Sequence, residues 1–218
     1  RFCPKFNRKI THQGLLSPLI PDALDFLARI SGFGDRLGTT FIQLPPSYSP
    51  EYLADLTEFL QVCSSEGFPL ALEVRHLDWF TQDNCDRLNY QLTELNVARV
   101  LLDTRPIYNC PDDPQIDSQR KKPQVPLQPI ITGDTGLIRF ISHPNQEYNQ
   151  SYLKQWAADL NNWLGQGKTI YFFVHCPQEQ YSPNIAKYLQ NLLEQENLNL
   201  SPLPWNTIEP IPQQLNLF

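Results

Sequence analysis

The sequence predicts an α/β chain built as a parallel β/α barrel. Two observations carry this. Short apolar runs rich in β-branched and aromatic residues alternate with longer stretches of helical period. The strand-like runs are apolar throughout instead of alternating with polar residues, as in sheets covered on both faces.

Six runs fit strands: Phe2–Phe6, Thr39–Leu44, Leu70–Arg75, Ala98–Asp103, Leu137–Ser142 and Thr169–His175. Five stretches fit helices. The first is Ala23–Ile30, preceded by Pro21-Asp22, with Asp22 placed to cap. Next is Pro50–Cys63, which follows Ser49 as N-cap and puts Leu53, Leu56, Phe59 and Leu60 on one face. Cys85–Leu95 and Tyr152–Leu164 follow. Asn184–Glu196 carries Ile185, Leu189, Leu192 and Leu193 on one face. Residues 104–136 are rich in Pro, Asp, Gln and Lys and show no period, so they are expected to form a long loop within a barrel domain spanning 1–200. Residues 201–218 are proline-rich and are expected to form an extended tail.

Composition narrows the function classes. The 218 residues are 41% hydrophobic and 18% charged, which is a globular balance. A net charge of −6 argues against strong direct nucleic-acid binding, which needs many cations against phosphates. No apolar run approaches the ~20 residues of a membrane span. The five cysteines, Cys3, Cys63, Cys85, Cys110 and Cys176, are odd in number and widely spaced. They indicate neither a disulfide framework nor a zinc site, and they fit a reducing, cytoplasmic setting. The four histidines lack metal-protease spacing. No metal is therefore expected, and no cofactor is indicated. The chain lacks methionine, and its first residues read as a strand under way, so further strands are expected before Arg1.

The chemistry is expected at the strand ends. Lys5, Gln43, the Glu73-Val74-Arg75-His76 run, Asp103, Arg139 and His175 all fall at or near the C-terminal ends of strands. Parallel barrels build their sites there. Lys5, Glu73 and Asp103 are the candidates for acid–base work. Gln43, Arg75, His76, Arg139 and His175 are the candidates for binding substrate. Arginine and lysine converging on one rim suit an anionic substrate, with a phosphate-containing one preferred. Simpler readings stand beside these. Glu73 and Arg75 lie two apart on one strand face and can form an internal ion pair. Asp103 can serve as a turn residue. His175 can be a hydrogen-bonded core histidine. Lys5, if buried, needs a partner or a shifted pKa.

These segments, in this order, resemble the YecE-like family (domain of unknown function 72). Phe2-Cys3-Pro4-Lys5-Phe6 with Ile10-Thr11-His12 is similar to the family's lysine strand and the I-T-H that follows it. Phe41-Ile42-Gln43-Leu44-Pro45-Pro46-Ser47-Tyr48 resembles its Q-L-P-P-S-F stretch. Leu72-Glu73-Val74-Arg75-His76 with Trp79 resembles its E-F-R-H…W motif. Asp103, Ile138-Arg139-Phe140 and Ser182-Pro183-Asn184-Ile185-Ala186 match further positions. The resemblance implies a TIM-type barrel with about six of eight strands in this chain, the first two lying before Arg1, and it implies no particular reaction. Two departures stand out. His143-Pro144 replaces the family's R-x-H-G spacing, and the last strand ends His175-Cys176-Pro177 where the family shows asparagines.

The tail carries a separate signal. Gln214-Leu215-Asn216-Leu217-Phe218 resembles the short peptide by which bacterial replication and repair proteins bind the sliding clamp. A glutamine at a groove rim and spaced Leu215, Leu217 and Phe218 side chains in an apolar pocket would give that recognition. The alternative is a hook that folds back to cover the barrel, each buried side chain contributing ~1.5–3 kcal/mol. The sequence thus supports two functions: a rim enzyme acting on a small anion, or a clamp-recruited accessory of DNA replication or repair.

Overall fold

A computed structural model describes residues 1–118, 121–196, 200 and 203. Among these residues, five strands form one parallel sheet in chain order: β1 (Thr40–Gln43), β2 (Leu70–Glu73), β3 (Ala98–Asp103), β4 (Thr135–Ile141) and β5 (Thr169–His175). Gln43 pairs with Glu73, Leu72 with Arg99, Leu102 with Arg139 and Ile141 with His175. The sheet curls into a half-barrel. A single cavity is lined both by Cys3, Lys5 and Phe41 from one side and by Phe173 and His175 from the other.

The first expected strand joins differently. Phe2–Phe6 makes two isolated parallel bridges, Phe2 to Leu37 and Lys5 to Phe41. Lys5 is three positions beyond Phe2, whereas Phe41 is four beyond Leu37. The extra residue opposite breaks the ladder, much as a bulge does. Hydrogen bonds hold each bridge: Phe2 N–H donates to Arg36 O and Gly38 N–H to Phe2 O at the first, and Phe41 N–H to Pro4 O and Phe6 N–H to Phe41 O at the second. Gly38 lies in this stretch because a side chain there would meet Cys3 Sγ at 2.9 Å and the Tyr171 ring at 3.0 Å.

Among the described residues, seven helices accompany the strands: α1 (Arg8–Thr11), α2 (Ile20–Ile30), α3 (Leu53–Ser65), α4 (Gln82–Glu94), α5 (Arg105–Tyr108), α6 (Glu147–Gly165) and α7 (Ser182–Gln195). Asp22 stands within the first turn of α2 and is not its cap, since Leu19 occupies that place. Its charge still suits the positive end of the helix. Ser49 precedes a 3₁₀ turn, Pro50–Tyr52, and makes no side-chain cap bond. Asp55 of α3 ties the packing together instead. Its carboxylate accepts from Leu16 N–H (2.8 Å), Ser17 N–H (3.0 Å) and Tyr48 O–H (2.6 Å). Asn96 ends the α4 unit at φ 50°, a left-handed conformation that asparagine tolerates. No helix among the described residues is long and apolar enough to cross a membrane.

Strand alternation sorts the core into layers. Ile42, Leu72, Leu101, Ile138 and Phe140 face outward onto the helices. Phe41, Ala71, Ala98, Val100 and Leu137 face the barrel interior. β1, β2 and β3 are buried along their whole length. β5 is half-exposed, because among the described residues it has a neighbour on one side only. Apart from α5, the stretch between β3 and β4 contains no regular element among its described residues, as its composition suggests. The clamp-like segment, Gln214–Phe218, lies outside the described residues.

Candidate functional site

Residues of one parity on the curled sheet point inward, and the last inward residue of each strand meets the others at the C-terminal rim. Gln43, Glu73, Arg139 and His175 share that parity through the register of the sheet. Glu73 is the hub. It is 1% exposed, yet both its carboxylate oxygens are occupied. Oε1 accepts from Arg75 Nε at 2.6 Å and from Gln43 Nε2 at 2.8 Å, and Oε2 accepts from Arg139 Nη1 at 2.5 Å. Burial alone would raise the Glu73 pKa. The guanidinium groups of Arg139 and Arg75 outweigh it and hold the carboxyl below the usual range.

Gln43 passes the network on. Its Oε1 accepts from Lys5 Nζ at 2.7 Å, which fixes the amide orientation between Lys5 and Glu73. Lys5 is exposed, not buried. Its pKa is lowered by burial of part of the side chain. Glu73 opposes that shift, and Arg139 and Arg75 reinforce it. Phe41 lies under both cations, 5.6 Å from Lys5 Nζ and 5.5 Å from the Arg139 guanidinium carbon. Beside them opens a cavity of about 290 Å³ lined by Cys3, Lys5, Phe41, Leu137, Arg139, Phe173 and His175. Burial, then Arg139 and Lys122, push the His175 pKa down to about 4, so its imidazole is neutral near pH 7.

Two predicted residues stand apart. Asp103 has the opposite parity, as its pairing with the outward Phe140 shows. It is fully buried against α6, where its carboxylate accepts from Trp156 Nε1 at 2.8 Å and from Arg105 Nε and Nη2, each at 2.9 Å. Arg105 in turn lies over Tyr152, 4.7 Å from the ring. His76 turns outward and accepts from Asp78 N–H at 3.2 Å, at the start of a 3₁₀ turn. Conversely, Lys122 was not legible as a rim residue. Burial lowers its pKa and Arg139 lowers it further, which places it near the inward arginines. Gln115 Oε1 receives its backbone N–H at 2.7 Å, and Tyr108 O–H donates to its carbonyl. In the sequence, Lys121-Lys122 looks like any solvated pair in a polar loop.

Among the described residues, one group of metal-type donors forms despite its unpromising spacing: Cys110, Asp112 and His143, with ligand atoms within 4.8 Å of one another. His143 Nδ1 accepts from Asn145 N–H at 2.9 Å, so in the neutral ring Nε2 carries the proton and donates to Asp112 at 3.1 Å. A ligating histidine needs the reverse arrangement, with its second nitrogen donating. The group is therefore a clasp between loop and strand.

A parallel β/α half-barrel with a polar rim defines a class of barrel protein. The sequence matches the family described as "Protein of unknown function DUF72" over residues 1–208, and the chain belongs to that family. It is 34% identical to the UPF0759 protein YecE of Escherichia coli K12, the match covering 100% of this chain and 79% of that protein, with the same figures for the counterpart in E. coli O157:H7. Two crystal structures of a DUF72 family protein from Enterococcus faecalis V583 share the fold. Their TM-scores are 0.63 and 0.67 at 16% and 17% identity. They cover 92% and 89% of this chain, and 76% and 78% of those chains are matched.

Proposed function

We propose that this protein is an enzyme that binds a small anionic, phosphate-bearing substrate at the C-terminal rim of its barrel. The supporting observation is a local excess of cations. Arg75 and Arg139 both bond the carboxylate of Glu73, and Lys122 lies near them, in a chain whose net charge is −6. Glu73 neutralises one of them and aims the guanidiniums, while Arg139 and Lys122 face the anion. Both Glu73 oxygens are engaged and its pKa is lowered. These features suit a positioning role better than that of a general base. Lys5 and the neutral His175, which line the cavity, are the proton carriers. Asp103 supports the barrel wall from the helix side.

The test is anion-dependent thermal stabilisation of the full chain. Inorganic phosphate and pyrophosphate should raise the melting temperature of the wild type. Lys122→Met and Arg139→Leu should blunt that rise, while Arg87→Met, on helix α4 and outside the cavity lining, should not. A rise of equal size in every variant would mean general salt stabilisation and would remove the proposal.

The terminal Gln214–Phe218 sequence supports a second role, recruitment to a bacterial sliding clamp, which is compatible with rim chemistry on the same chain.

A further inference from the structure

We propose that Lys5 is a Schiff-base nucleophile, and that the substrate at the rim is a small aldehyde or ketone carrying a phosphate or carboxylate. The inference rests on the anion-binding reading above and adds to it the reacting group. An amine that attacks a carbonyl must reach the ligand cavity, be held in one orientation, and not be locked against a carboxylate as a permanent ammonium ion.

Lys5 meets each condition. Its side chain lines the cavity of about 290 Å³, whose size suits a few-carbon compound. The Nζ is directed by a 2.7 Å hydrogen bond to Gln43 Oε1, a neutral amide. Glu73, the nearby acid, is already committed to Arg75, Arg139 and Gln43. The environment favours the free amine further, through partial burial and through Arg139 and Arg75. Arg139 gives Nη1 to Glu73, and among the described residues its other N–H groups have no protein partner, so they can receive the anionic end of the substrate. The apolar walls, Phe41, Leu137 and Phe173, accommodate the carbon chain between the two. The thiol of Cys3 shares the cavity. Burial raises its pKa, so it stays protonated at neutral pH and does not compete as a thiolate.

In the reaction, the neutral Nζ attacks the carbonyl carbon and forms a carbinolamine. The carbonyl oxygen takes up two protons, equal to the two that the amine loses, and leaves as water when the C=N bond forms. His175, neutral and lining the same cavity, relays those protons. The products are the imine and one water, with no change of oxidation state.

The test is reductive trapping. The full chain is incubated with glycolaldehyde phosphate or dihydroxyacetone phosphate, reduced with borohydride, and read by intact mass and peptide mapping. The expected result is one stable adduct per chain on Lys5. The adduct is lost in Lys5→Met and suppressed by excess inorganic phosphate. The Lys5→Met variant should still be stabilised by phosphate through Arg139 and Lys122. Phosphate stabilisation of the wild type without an adduct on Lys5, or adducts spread over surface lysines, would overturn the Schiff-base assignment and leave the anion site standing. Absence of both stabilisation and adduct would remove both.

Discussion

Replacing Glu73 by Gln tests whether the rim is organised by one carboxylate. Glu73 is 1% exposed, and its arginine partners are themselves largely covered, at 18% for Arg75 and 12% for Arg139. Removing one partner of a buried ion pair costs about 3–5 kcal/mol, because the remaining charge is stranded. Here the amide keeps one acceptor oxygen, and the arginines retain some contact with water. The low end applies, about 3 kcal/mol. For a chain of this size that corresponds to a fall in Tm of roughly 6–12 °C. The assay is urea and thermal unfolding followed by circular dichroism, for Glu73→Gln, Arg139→Gln and the double variant. If the pair is the cause, the two losses should not add, and the coupling should be about 1–3 kcal/mol. The pH dependence gives a second check. The folded pKa of Glu73 lies below its ordinary value, so its stabilisation is complete above the unfolded carboxyl pKa, near ~4.3. That stabilisation disappears as the pH falls through the lower, folded value. The gap between wild type and variant should therefore narrow in acid. A loss under about 1 kcal/mol, or strictly additive variants, would refute the view that Glu73 is the hub.

Three further outcomes are expected. Because the His175 pKa drops from 6.5 to about 4 on folding, its contribution to stability is present above pH 6.5 and is lost as the pH falls toward 4. Proton NMR should show the low pKa, and His175→Gln should flatten that part of the stability profile. Asp103→Asn should destabilise by about 2–4 kcal/mol, since it strips a buried acceptor of charge against Arg105, while leaving phosphate stabilisation intact. Loss of anion binding at unchanged stability would instead place Asp103 in the site. A peptide ending in Gln214–Phe218 should bind a bacterial sliding clamp with Kd of order micromolar, and Gln214→Ala or Phe218→Ala should abolish it. Failure of the chain to fold when Gln214–Phe218 is deleted would show instead that the tail is structural.

Much of the architecture was legible because strand and helix periods are local properties of the chain. The runs Thr39–Leu44, Ala98–Asp103 and Thr169–His175 contain the observed strands or coincide with them. Helix starts were less legible. Asp22 and Ser49 have the chemistry of caps, but Pro21 and Pro50 lead those stretches, and Leu19 and a 3₁₀ turn take the first positions instead.

Of the rim, the sequence by itself determined which residue types end each strand and that Glu73 and Arg75 share a face. It could not show that Arg139, 66 positions from Glu73, closes the second carboxylate oxygen. Nor could it show that Asp103 has the wrong parity and faces Trp156. Parity relative to the core depends on register with neighbouring strands, and register depends on contacts far apart in the chain. The tertiary structure alone decided which of several polar strand ends share one cavity, and that Lys122 comes near it from a loop without periodicity. Charge becomes a site only where folding brings like charges together around too few opposite ones, and no local pattern encodes that meeting.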